Sequence, residues 1–141
     1  MFKANRLMIL AAAALFCACS SENKPLKIEF SKDSSAIVFS QLEPVGLLQL
    51  KNKLQTDTLY QKLATVLQTP GDNDSTDMEK DWPGRLSLKG DELIFTPDTP
   101  FVKGKSYLVQ TMLNTAFATK KDIFSSEVGH QVKPIQKVLV R

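Results

Sequence analysis

The sequence predicts a mostly β domain, a single antiparallel sandwich, preceded by an export leader. Three observations carry that prediction. Short runs rich in β-branched and aromatic residues recur along the chain, turn residues separate them, and no long helical pattern interrupts them.

The N-terminal residues come first, because they decide where the fold begins. Lys3 and Arg6 precede an apolar run from Leu7 to Ala18, followed by Cys19, Ser20 and Ser21. Charge, then hydrophobe, then small residues is the order of an export signal, so residues 1–18 are excluded from the fold. The rival is a transmembrane anchor, but this run is roughly a dozen residues long and about 20 are needed to cross a bilayer. Residues 19–26 are polar and contain Pro25, the composition of a short tether. Residues 27–141 are enough for one ordinary domain.

Lys27 to Phe30 and Ala36 to Phe39 read as two strands separated by the polar Ser31 to Ser35. Leu47 to Leu50 continues in the same style after a bend at Pro44 and Gly46. From Asp57 to Thr69 both periods are present. Leu59, Leu63, Val66 and Leu67 have helical spacing, while Leu63, Thr65 and Leu67 alternate, so the expectation is a short helical turn and then a strand. Pro70 to Pro83 reads as a long acidic loop.

The clearest pattern begins at Gly84. Leu86 and Leu88 alternate with polar residues, Gly90-Asp91 supplies a tight turn, and Leu93-Ile94-Phe95 begins the return strand of a hairpin. Pro97 and Pro100 bracket an irregular link. Tyr107 to Met112 alternates again, with Tyr107, Val109 and Thr111 on one face. Pro134 to Arg141 supplies a final strand.

Two resemblances add to this reading. Phe16-Cys17-Ala18-Cys19 resembles the lipobox of bacterial lipoproteins, in which a small residue precedes a Cys that is acylated and becomes the new N-terminus. The resemblance implies lipidation at Cys19, with Phe16 and Cys17 in place of the usual Leu and Ala or Ser. Cleavage after an Ala-x-Ala site at Ala12 and Ala14 is the alternative, and would leave both cysteines free. The segment from Gly84 through Phe95-Thr96-Pro97 to Gly104 and Tyr107 is similar to the bacterial Ig-like domains of secreted and surface proteins. It implies an Ig-like β-sandwich in which Gly104 eases a corner and Tyr107 buries its ring and hydrogen-bonds backbone nearby, as in a tyrosine corner. Phe101 belongs to the core on the same reading.

Composition narrows the function. Losing Lys3 and Arg6 with the leader takes the formal charge of +3 down to +1, which leaves no bias toward nucleic acid. Both cysteines lie in or beside the leader, so no disulfide or thiol chemistry is expected in the domain. The single His130 sits in a polar link without a motif, which argues against a catalytic triad or a zinc site. No cofactor is expected.

The acidic cluster at Asp72, Asp74 and Asp77, with Trp82 beside it, is the candidate binding loop. Its spacing fails the helix-loop-helix calcium pattern, with Asp77 where Gly is wanted and Pro83 where Glu is wanted, so a solvated loop is the simpler reading. Trp82 either faces a glycan or protein partner or plugs the sandwich. The expectation is a non-catalytic cell-envelope lipoprotein, on the membrane through its N-terminal lipid, that binds an envelope protein or glycan or gives structural support. Ser20 after Cys19, where retention at the inner membrane is associated with Asp, points by resemblance to the outer membrane. The alternative is a small periplasmic inhibitor or chaperone-like factor acting through residues 70–83.

Overall fold

The computed structural model describes residues 24–71, 78–113 and 134–141. They form two antiparallel four-stranded sheets. The first is built from β1 (Lys27–Phe30), β2 (Ile37–Ser40), β6 (Glu92–Pro97) and β5 (Gly84–Lys89), in the spatial order β1-β2-β6-β5. The second contains β4 (Lys80–Asp81), β3 (Ala64–Gln68), β7 (Ser106–Thr111) and β8 (Ile135–Val140), in the order β4-β3-β7-β8. Assigned letters in chain order, these are A-B-E-D and C′-C-F-G, the arrangement of an immunoglobulin-like sandwich with one added C′ strand.

Each strand turns its apolar set inward. Ile28, Ile37, Phe39, Leu86, Leu93 and Phe95 from the first sheet meet Val66, Tyr107, Val109 and Leu139 from the second, all buried. Thr111, on the same face of β7 as Tyr107 and Val109, is buried too, and its hydroxyl donates to the Leu63 carbonyl at 2.8 Å. The β5–β6 connection is two residues long, with Gly90 at φ +62° and Asp91 outside the left-handed region, the pattern of a type II′ turn.

Two features differ from the sequence expectation. Leu47 to Leu50 is not a strand but part of a helix, α1 (Pro44–Lys53). Pro44 stands in the first turn, where its missing N–H costs nothing, and Leu50 and the following Leu54 bury against the sandwich at helical spacing. A 3-10 turn (Thr58–Lys62) then leads into β3, with the Asp57 carboxylate capping it by accepting from the Leu59 N–H at 3.0 Å.

The second difference is that the segment expected as a loop to Pro83 ends in strand structure. Lys80 and Asp81 pair with Gln68 and Leu67, and the Trp82 N–H donates to the Val66 carbonyl at 2.9 Å. The chain then crosses at Pro83 to the other sheet. Gly84 makes the crossing feasible, because a Cβ there would strike the Thr96 carbonyl oxygen and the Phe95 ring. Of the two placements expected for Trp82 the structure takes the core one: it is 8% exposed, with its indole N–H donating to the Thr99 carbonyl at 3.0 Å. It plugs the sandwich and does not face a partner.

The two ends of the sandwich are chemically distinct. At one, Phe30, Phe101, Trp82 and Tyr107 form an edge-to-face cluster, with ring centroids 4.7 Å apart for Phe101 and Tyr107 and 5.4 Å for Trp82 and Tyr107. At the other lie Lys27, Ser40, the β5–β6 turn and α1.

Candidate interaction face

The outward surfaces of the two sheets follow from the same alternation that fills the core, so the register identifies every residue on them. On the second sheet, Leu67 lies opposite Leu108, and Leu108 opposite Val138. One row along, Thr65, Gln110 and Gln136 stand side by side. On the other flank, Ser106 faces Val140 and accepts at its carbonyl from the Thr69 N–H at 3.0 Å. These nine positions, on β3, β7, β8 and the residue after β3, hold no charged residue and span roughly 10 by 14 Å from the usual strand spacing and rise, and Asp81 of β4, opposite Leu67, is the charged border of the middle row. Val138 and Val140 are 55% and 68% exposed.

The outward face of the first sheet is different. Lys27, Glu29, Arg85, Lys89 and Glu92 point outward there, and an open trough of about 800 Å³ is lined by Glu29, Val38, Lys89, Glu92 and Ile94 among others. Mixed charge of this density suits a solvated surface. Protein interfaces lose charge at their centre and keep polar groups at the rim. The second sheet offers an uncharged area three strands wide, whereas on the first sheet charged residues from β1, β5 and β6 closely surround the uncharged Val38 and Ile94.

Both sheets have exposed edges, and one is blunted. The Gln61 side-chain amide accepts from the Leu86 N–H at 2.9 Å and donates to the Leu86 carbonyl at 3.1 Å, pairing with the open side of β5 as a neighbouring strand would. A second donation to the Leu54 carbonyl at 3.3 Å ties the end of α1 to the same point. Strand addition along β5 is thereby obstructed. On β8 the backbone of Arg141 is held by Gly104 and Lys105, and Gly104 takes φ +80° to reach it.

Of the residues singled out from sequence, Asp72, Asp74, Asp77, His130 and Cys19 lie outside the described residues, and Trp82 is in the core. The ends of the acidic loop are described: Gln68 and Lys80 pair at the aromatic end of the sandwich, and Met78 beside them is 89% exposed. Among the described residues no three His, Cys, Asp or Glu side chains converge as metal ligands, and no helix is long and apolar enough to cross a membrane.

Among the described residues the one strongly perturbed ionisable group is Asp33, in the β1–β2 turn. Its carboxylate accepts from the Ser31 hydroxyl at 2.6 Å, the Ser35 hydroxyl at 2.7 Å and the Ser35 N–H at 3.1 Å, which lowers its pKa from 3.8 to about 2. Its role is to fix a turn in which Ser34 adopts φ 56°. Compared with models of protein families, with curated proteins and with solved structures, the chain matches none.

Proposed function

We propose that this chain is a non-catalytic cell-envelope lipoprotein, acylated at Cys19, whose Ig-like sandwich presents the outward face of its second sheet to a protein partner in the envelope. The observation that carries the reading is the uncharged grid around Leu67, Leu108 and Val138, three strands wide and bordered on the β4 side by Asp81. A sheet face that needed only to stay solvated would resemble the other one, with its alternating lysines and acids.

The lipobox-like Phe16-Cys17-Ala18-Cys19 supports the anchor. A chain with one His and no cysteine in its domain supports a role other than catalysis. By resemblance, Ser20 after Cys19 favours the outer membrane.

The test is a photo-crosslinking amino acid placed at Val138, at Val38 on the opposite outward face, or at Met78 beside the acidic loop, in cells of the host. A discrete envelope-protein adduct from position 138 alone is the expected result. Adducts from position 38 instead would overturn the choice of face, and adducts from position 78 alone would favour an inhibitor-like or chaperone-like factor working through residues 70–83.

A further inference from the structure

The helix α1 carries an apolar pair on the wrong side for a helix that only packs and dissolves. Its inward face is occupied by Gly46 and Leu50, with Leu54 following, all buried. Its outward face carries Val45 and Leu48, neighbours at i and i+3 that are 62% and 60% exposed. Polar residues hold such positions in an ordinary surface helix.

The position of this helix relative to the N-terminal segment gives the pair a use. Lys27, where the chain enters β1, lies opposite Ser40, and α1 starts at Pro44. Lys51 reaches Asp91 at 3.3 Å, which puts the last turn of the helix beside the β5–β6 turn at that same end. The tether and the helix therefore leave the sandwich together. From Cys19 to Lys27 the fully extended chain spans roughly 26–29 Å. The aromatic end lies about the length of a six-residue strand, roughly 20 Å, from the end where the chain enters β1.

We infer that α1 is a membrane-apposed foot, with Val45 and Leu48 seated at the surface of the leaflet that holds the acyl chains. The inference rests on Cys19 being the lipid anchor. Given that anchor, the helix meets the bilayer at an effective concentration on the order of millimolar, and two apolar side chains then bias orientation although they could not recruit a free protein. Lys27 and Lys51 are paired with Glu29 and Asp91, and Lys53 in the last turn of the helix, in no ion pair among the described residues, adds attraction to anionic headgroups. Standing on this end, the domain carries the aromatic end away from the bilayer and leaves the face around Leu108 open to the side.

The experiment uses the acylated full-length chain, purified from host membranes and reconstituted into phosphatidylethanolamine–phosphatidylglycerol vesicles. Leu48→Cys supplies a single reactive thiol, since acylation consumes the Cys19 thiol and Cys17 leaves with the leader. The matched control is Val102→Cys at the aromatic end. A polarity-sensitive fluorophore at position 48 is expected to shift to the blue and to be quenched several-fold more by a lipid-borne nitroxide than the same label at position 102.

Equal quenching at the two positions would overturn the inference. So would a label at position 48 that is shielded from aqueous iodide yet untouched by the lipid quencher, because residues 114–133 of this chain or a second copy would then be the cover. Intact mass of the same sample separates the two failures. Absent acyl mass defeats the anchor and the foot with it, whereas acyl mass without selective quenching defeats the foot alone.

Discussion

The backbone N–H of Val102 donates to the hydroxyl of Tyr107 at 2.7 Å, and the Tyr107 ring behind that hydroxyl is completely buried. One side chain thus closes the link between β6 and β7 and fills the centre of the aromatic cluster. Tyr107→Phe keeps the ring and removes the partner of the Val102 N–H. It is expected to cost about 1–3 kcal/mol in urea unfolding, the penalty of an orphaned, partly buried donor. A change below about 0.5 kcal/mol, typical of a neutral surface substitution, would show that the hydroxyl does not hold the corner.

Gly84 is expected to be the glycine least tolerant of substitution among the four at positions 71, 84, 90 and 104. A Cβ at position 84 meets the Thr96 carbonyl, the Phe95 ring and, at 2.8 Å, the Pro97 Cα, so Gly84→Ala overpacks a point where the backbone itself must move. The expected loss is about 1–3 kcal/mol. Gly71→Ala, where a Cβ would meet nothing within 4 Å, is the control and is expected to leave the unfolding midpoint unchanged.

Removing the Gln61 amide should expose an edge. Gln61→Leu leaves the Leu86 N–H and C=O without their side-chain partner, and amide hydrogen exchange at Leu86 is expected to accelerate as stability falls by about 1–3 kcal/mol. Gln61→Glu keeps the acceptor for the Leu86 N–H and loses the donor, so its exchange at Leu86 is expected to fall between the two. Unchanged exchange in Gln61→Leu would mean that the strand edge is protected by something else.

The Asp33 carboxylate gives a pH signature with a definite sign. Hydrogen bonds from Ser31 and then Ser35 depress its folded pKa to about 2 from 3.8, so the turn is stabilised while the carboxylate is ionised. That contribution is present above about pH 4 and is lost as the pH falls through 2. A carboxyl titration by NMR should find the low value in the native chain and a higher one in Ser31→Ala. An Asp33 that titrates near 3.8 in the folded protein would contradict the hydrogen-bonded turn.

The strands were legible in the sequence where the pattern was local. Leu86, Leu88, Gly90 and Leu93 to Phe95 specify a hairpin within a dozen residues, and Gly104 with Tyr107 specifies a corner within four. Helix α1 was not legible, because Leu47-Leu48 with Leu50 fits a short apolar strand as well as a helix, and the decisive contacts of Leu50 and Leu54 are made with distant strands. Strand β4 escaped for a related reason, since two polar residues form a strand only because Val66 and Leu67 offer a free edge.

The candidate face was hidden more deeply. Leu67, Leu108 and Val138 lie far apart in the chain, and only the register of β3, β7 and β8 sets them in one row. The absence of charge across β3, β7 and β8, up to Asp81 at the border, is a property of three strands together. Scanning the sequence in order finds instead the acidic run before Trp82, where the charges are adjacent, and Trp82 itself, which the fold consumes as core.

The proposed anchor at Cys19 would turn an isolated sandwich into a displayed one, and the intact mass of the protein purified from host membranes tests it most directly. The account predicts a chain that begins at Cys19 and carries added acyl mass, with that mass and the membrane association both lost in Cys19→Ala. A soluble, unmodified chain, or one that retains residues 1–18, would contradict it.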